Sequence, residues 1–76
     1  MKLGELIRNY NPPICYDSFI SIGKIDGELY SKDTEKVTKN QLVESKIYEE
    51  LQEKEVWTFS AVACRDSSTI LVITVL

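Results

Sequence analysis

Most of the fold prediction rests on the sequence EVWTFSAVACRDSSTILVITVL, residues 55–76. Over 56–64 the side chains alternate with a period of two, which is typical of a β-strand. The polar sequence 65–68 then forms a connection, and 69–76 is almost continuously apolar. We predict that 55–76 is a β-hairpin and that it supplies most of the apolar core.

The two predicted strands differ in how many of their faces should be buried. The first places Trp57 and Phe59 on one face, and we expect that face to pack in the core. Stacking of single-stranded nucleic acid on these aromatic rings is the alternative, but it would need a basic groove that the sequence lacks. The strand 69–76 is apolar on both faces, which calls for cover on both. We therefore expect one of its faces, or the edge beside it, to contact another chain, and a homodimer would provide this contact.

Two helical patterns precede the hairpin. Residues 2–10 carry apolar side chains at the spacing of one helix face, and Asn11-Pro12-Pro13 should end this helix because proline cannot continue the helical ladder. Thr38 and Gln41 have the spacing of a capping box, which predicts the start of a second helix. Its apolar positions continue to about Lys54.

Between the helices the period changes to two again, with Ile20 and Ile22 on one face. Asp26-Gly27 is the preferred sequence of a type I′ turn, so we predict a second hairpin in which Lys24 pairs with Leu29.

The order helix, hairpin, helix, hairpin predicts a single α+β domain covering 1–76. We expect a four-stranded antiparallel sheet with its two helices mainly on one face. A β-grasp-like arrangement, in which the two hairpins meet across the second helix, is the alternative topology.

Composition excludes several classes of function. The chain has 76 residues, a net charge of −3 and scattered basic residues, which disfavour direct binding to a nucleic-acid backbone. It has no histidine, and Cys15 and Cys64 are too far apart in sequence for a metal-ligand motif. We therefore expect no catalytic residue, cofactor or metal. No apolar run approaches the ~20 residues that span a bilayer, so we predict a cytoplasmic protein with no membrane partner.

Two segments are candidates for binding a protein partner. One is acidic and lies mainly in the second helix, where a solvated helix surface is the alternative interpretation. The other surrounds the two prolines, where rigid and aromatic side chains lose little entropy on binding, and a connector packed against the sheet is the alternative. The candidate residues are Glu44, Glu49, Glu50 and Glu53 in the first segment, and Tyr10, Pro12, Pro13 and Tyr16 in the second.

The order of elements, the acidic charge and the opening Met-Lys-Leu-Gly-Glu-Leu-Ile resemble the short acidic α+β proteins that prophages and mobile elements of low-GC Gram-positive bacteria encode. Some of these proteins inhibit host defences, and anti-CRISPR proteins are among them. The resemblance implies a phage or mobile-element accessory protein.

Two functions follow as expectations. The first is a non-catalytic protein-binding module. The alternative is an acidic inhibitor or nucleic-acid mimic that acts on a host nucleic-acid-binding defence protein. A mimic would present Glu44, Glu49, Glu53 and Glu55 as a contiguous, unpaired row.

Overall fold

The computed structural model describes residues 1–11 and 17–76. In these residues the chain forms an α+β domain with three α-helices and a three-stranded mixed sheet, whose strand order is β1-β3-β2. The elements in chain order are α1 (Leu3–Asn9), β1 (Ser18–Lys24), a short 3₁₀ helix (Lys32–Thr34), α2 (Lys39–Glu44), α3 (Tyr48–Leu51), β2 (Val56–Ala63) and β3 (Thr69–Val75).

The last strand, β3, lies at the centre of the sheet. It runs parallel to β1, with Ser18 opposite Thr69, and antiparallel to β2, with Ala63 opposite the same Thr69. The C-terminal hairpin is therefore confirmed. Parallel neighbours cannot be joined by a tight turn. The chain between β1 and β3 accordingly makes a long excursion through α2, α3 and β2.

The predicted four-stranded antiparallel sheet is wrong. The described residues form three strands, and β1 and β3 are parallel. The β-grasp-like alternative is wrong as well, because it requires two hairpins and only the C-terminal one forms. Residues after the Asp26-Gly27 turn contact β1 through isolated bridges and form no strand of their own. The bridge next to the turn joins Gly23 to Leu29, one position away from the predicted partner Lys24.

The turn itself explains why a second strand does not extend. Gly27 has a φ of +89°, but Asp26 is not in the left-handed region, so the turn is not type I′. The Asp26 carboxylate instead accepts a hydrogen bond from the Glu28 N–H at 2.9 Å. Soon afterwards, Ser31 caps the 3₁₀ helix through a reciprocal capping box with Thr34, so the chain beside β1 becomes helical and does not continue as a strand.

The predicted second helix is confirmed at its start and wrong in its length. The Gln41 N–H donates to the Thr38 hydroxyl at 3.2 Å, and the Thr38 N–H donates to the Gln41 side chain at 2.9 Å. The helix then stops at Ser45, whose ψ of 148° is extended. The Ser45 hydroxyl donates to the Leu42 carbonyl at 2.6 Å, a local bond by which serine competes with helical bonding. A separate short helix, α3, follows.

The core lies between the helices and one face of the two strands β1 and β3. Three of its nine buried apolar residues come from β3 and none from β2, so the prediction that the hairpin supplies most of the core is wrong. The helix α1 is confirmed and contributes two of the nine. The nine residues are Leu3, Ile7, Ile20, Ile22, Leu42, Leu51, Leu71, Ile73 and Val75.

Adjacent residues of β3 should differ in their effect on stability. Ile73 is fully buried against the helices, so Ile73→Ala should lower the free energy of unfolding by about 2–5 kcal/mol. Val72 points to the other face of the sheet and is 38% exposed, and Val72→Ala should cost less than about 1 kcal/mol. Urea denaturation of both variants measures the difference. Equal losses would contradict a helix layer on one face only.

Candidate protein-binding edge

The two edges of the sheet are not equivalent. The outer edge of β1 is covered, since Ile20 exchanges two backbone hydrogen bonds with Val37, at 2.6 and 3.0 Å, and the Tyr30 N–H donates to the Ile22 carbonyl at 3.0 Å. The strand β2 ends the sheet on the other side. The first residue of β2, Val56, is bonded on its outer side, but no part of the described chain pairs with the outer edge of β2 after it.

The hairpin turn shows which β2 residues point their backbone N–H and C=O groups toward β3 and which point them outward. The Cys64 N–H donates to the Ser68 carbonyl at 2.8 Å, so this is a hydrogen-bonded pair of the antiparallel ladder. Such pairs alternate with pairs whose backbone groups point away from the neighbouring strand. The following β2 residues therefore direct their N–H and C=O groups to the outside of the sheet: Phe59, Ala61 and Ala63.

The N-terminus covers the beginning of this edge. The Val56 N–H donates to the Met1 carbonyl and the Leu3 N–H donates to the Lys54 carbonyl, both at 2.9 Å. Lys2 and Glu55 form the bridge between these bonds. What stays uncovered in the described structure is the part from 57 to 63, which we call the open edge.

Side chains of β2 are exposed along almost the whole strand. Trp57 is 59% exposed and Phe59 is 46% exposed, so the prediction that both pack in the core is wrong. Phe59 does lie on the helix-covered face, because it pairs with the buried Ile73, but the helices pack over β1 and β3 and do not reach it. At Trp57 the register shifts by one residue, which leaves this side chain without a partner on β3.

The open edge lacks most of the features that protect edge strands. Proteins usually prevent edge-to-edge association with charged side chains, prolines, bulges or very short edge strands. The strand Val56–Ala63 contains no charged residue and no proline, and the register shift at Trp57 is its one irregularity. Backbone donors and acceptors, an uncharged strand and exposed aromatic rings are thus combined at one place.

The predicted acidic residues do not form an unpaired row. Glu44 ends α2, whereas Glu49 lies in α3, beyond the break in the helix. The Glu53 carboxylate is 2.8 Å from the Lys2 ammonium, and the Glu55 carboxylate is 3.1 Å from the N-terminal amine. Two of the four carboxylates that a mimic would present therefore anchor the N-terminal segment.

Two acidic residues influence the pKa of a neighbouring group. The hydrogen bond from Lys2, together with its charge, lowers the pKa of Glu53, and the same contact raises the pKa of Lys2. Burial, followed by a hydrogen bond with the Glu50 carboxylate, raises the pKa of Tyr30. The carboxylates of Glu50 and Glu53 therefore form contacts within the chain.

The second predicted segment is only partly described. Pro12, Pro13 and Tyr16 lie outside the described residues, as does Cys15. Tyr10 is half-buried and packs against the core, and its carbonyl accepts a hydrogen bond from the Lys39 ammonium at 2.8 Å. Tyr10 is therefore engaged in contacts within the chain, at the core and with the start of α2.

Comparisons with known proteins assign no family to the chain. No family model, curated protein or solved structure matches it. Across residues 1–11 and 17–76, no helix has the length and apolar character needed to cross a membrane. The same residues contain no cluster of three or more His, Cys, Asp or Glu side chains that could hold a metal ion. Function is therefore inferred from the open edge itself.

The contact between Lys2 and Glu53 should appear in a pH titration. The contact lowers the pKa of the Glu53 carboxyl below its ordinary value of 4.5, so it stabilises the fold at pH values above 4.5. This stabilisation is lost as the pH falls through the lower, folded-state pKa. Lys2→Ala should raise the pKa of Glu53 toward 4.5, which NMR titration of the side-chain carboxyl measures. An unchanged Glu53 pKa in Lys2→Ala would show that the lysine is not the cause.

Proline substitutions at two adjacent positions of β2 should test which backbone N–H groups point outward and which point toward β3. The Ala61 N–H points to the outside, so Ala61→Pro removes no ladder hydrogen bond, whereas Ser60→Pro removes one to β3. We expect Ser60→Pro to lower the free energy of unfolding by about 1–3 kcal/mol more than Ala61→Pro. Urea denaturation gives the comparison. A larger loss for Ala61→Pro would reverse the assignment of inner and outer residues.

Proposed function

We propose that this protein is a non-catalytic protein-binding module that binds an extended polypeptide along the open edge of β2. The observation that supports the proposal is the edge itself, an uncharged strand with outward backbone groups, in a sheet whose other edge is covered. Added strands bind such edges through main-chain hydrogen bonds, and the side chains beside the edge provide specificity.

The energetics of this binding have two parts. Main-chain bonds to Phe59, Ala61 and Ala63 replace bonds to water, so each contributes modestly, about 0.5–1.5 kcal/mol. Apolar side chains add a second gain. Full burial of a large apolar side chain contributes about 1.5–3 kcal/mol, and Phe59, which is 46% exposed, would gain roughly half of this when an added strand covers it on the helix-covered face.

The predicted acidic and proline-containing segments are secondary in this proposal. Glu44, Glu49 and Glu50 are exposed and could contact the same partner at a distance from the edge, which stays a prediction. The alternative function, an acidic inhibitor or nucleic-acid mimic acting on a host defence protein, needs an unpaired row of carboxylates. The ion pairs of Glu53 and Glu55 count against it.

An origin in a prophage or mobile element also stays a prediction, based on the resemblance in size, charge and element order. An edge-binding module is compatible with it, because strand addition at a sheet edge is a general mode of binding between polypeptides. The open edge, and not the origin, is the basis of the proposed function.

Affinity capture with three forms of the protein tests the proposal. Ala61→Pro should lose the bound polypeptide, because proline removes an outward donor while preserving the ladder to β3. The triple variant Glu49→Lys, Glu50→Lys, Glu53→Lys should retain it. In the complex with wild type, hydrogen exchange at Phe59 and Ala61 should slow markedly.

The opposite pattern would contradict the proposal. Binding that survives Ala61→Pro and is lost in the charge-reversed variant would assign recognition to the acidic surface. Far-UV circular dichroism of each variant confirms that the fold is retained.

A further inference from the structure

We propose that the polypeptide bound at the open edge is β2 of a second copy of this chain. The two strands would pair antiparallel about a two-fold axis at Ser60, joining two three-stranded sheets into one. The inference rests on the proposed function, since it names the partner of the same edge. Four properties of the strand support it: the position of its midpoint, its side-chain sizes, its charges and its uncovered face.

The position of the axis follows from the extent of the open edge. Its limits are Trp57, where the cover by the N-terminal segment stops, and Ala63, where β2 ends. Ser60 is the midpoint. Only an axis at Ser60 pairs the whole open edge, and it brings Phe59 opposite Ala61 of the second copy. Both residues direct their backbone groups outward, as a hydrogen-bonded antiparallel pair requires.

The side chains of β2 are complementary in size under this symmetry. The first half of the strand carries the aromatic residues and the second half carries alanines. In the pairing about Ser60, Phe59 lies opposite Ala61 of the second copy, on the helix-covered face. Each Phe59 ring therefore meets a small side chain, twice in the interface, as the self-complementary surface of a two-fold dimer requires.

Charges at the ends of the strand are complementary as well. Nothing between Val56 and Cys64 is charged, so like charges do not oppose each other within the pair. Glu55 precedes the open edge and Arg65 follows it, and both are exposed. The two-fold axis brings the Glu55 end of one copy to the Arg65 end of the other. The attraction is weak because solvent and salt screen it, but its sign favours the antiparallel pairing.

The dimer would also cover the face of β2 that the helices leave exposed. A two-fold axis perpendicular to the sheet keeps the helices of both copies on the same side. Phe59 and Ala61 lie on that side, opposite the buried Ile73 and Leu71, in the strip that the helices leave open. In the dimer the two strips become adjacent, and each copy covers the exposed Phe59 of the other.

Site-specific disulfide formation tests the register. In a background of Cys15→Ser and Cys64→Ser, Ser60→Cys places two thiols opposite each other in a non-hydrogen-bonded pair. The Cα separation of such a pair is about 4.5 Å, which lies within the range that a disulfide bridges. Val62→Cys is the matched control, because it is exposed on the same sheet face. Its thiols would be about 13 Å apart along the strands, too far to bond.

The expected result is rapid formation of a covalent dimer by Ser60→Cys under mild oxidation and at least a tenfold slower reaction of Val62→Cys. Wild type should sediment as a dimer in analytical ultracentrifugation, and Ala61→Pro as a monomer. Equal cross-linking of the two cysteine variants, or a strictly monomeric wild type at concentrations up to about 1 mM, where even weak protein pairs associate, would overturn the inference.

The same measurements separate this inference from the proposed function. If wild type is monomeric and Ala61→Pro still abolishes capture of another polypeptide, the second-copy inference fails while the edge-binding function stands. If wild type is monomeric and capture is insensitive to Ala61→Pro, both fail.

Discussion

The strand β3 organises the fold because it pairs with a strand on each of its two sides. This strand joins a parallel neighbour to an antiparallel one and contributes Leu71, Ile73 and Val75 to the core. Ile20 and Ile22 of β1 lie directly opposite Leu71 and Ile73, so the two strands form one continuous apolar face. The helices are too short to be stable alone, and this face is what they pack against.

The helix layer is too small to cover all three strands, and β2 is the strand that it leaves exposed. The three helices cover β1 and β3, and they leave β2 exposed along almost its entire length. The edge of β1 is covered by Val37 and the residues near it, but the edge of β2 is covered only at its start, by the N-terminal segment. The surface available to a partner is thus the part of the sheet that these helices leave uncovered.

The acidic residues have a different role from the one their number suggests. Glu53 and Glu55 pair with Lys2 and the N-terminal amine, and these contacts support the backbone bridge between Lys2 and Glu55. They thereby set where the open edge begins. Net charge gave no indication of this, because it does not specify which carboxylates face a cation of the same chain.

Features that depend on near neighbours were predictable from the sequence, namely the capping box at Thr38, the first helix and the C-terminal hairpin. Each results from residues a few positions apart, whose spacing can be recognised directly in the sequence. Three other features became apparent from the packed structure: β1 is parallel to β3, Phe59 is exposed, and the candidate binding surface is an edge. Alternation shows that a strand has two faces, but which face and which edge are covered depends on packing between residues far apart in the chain.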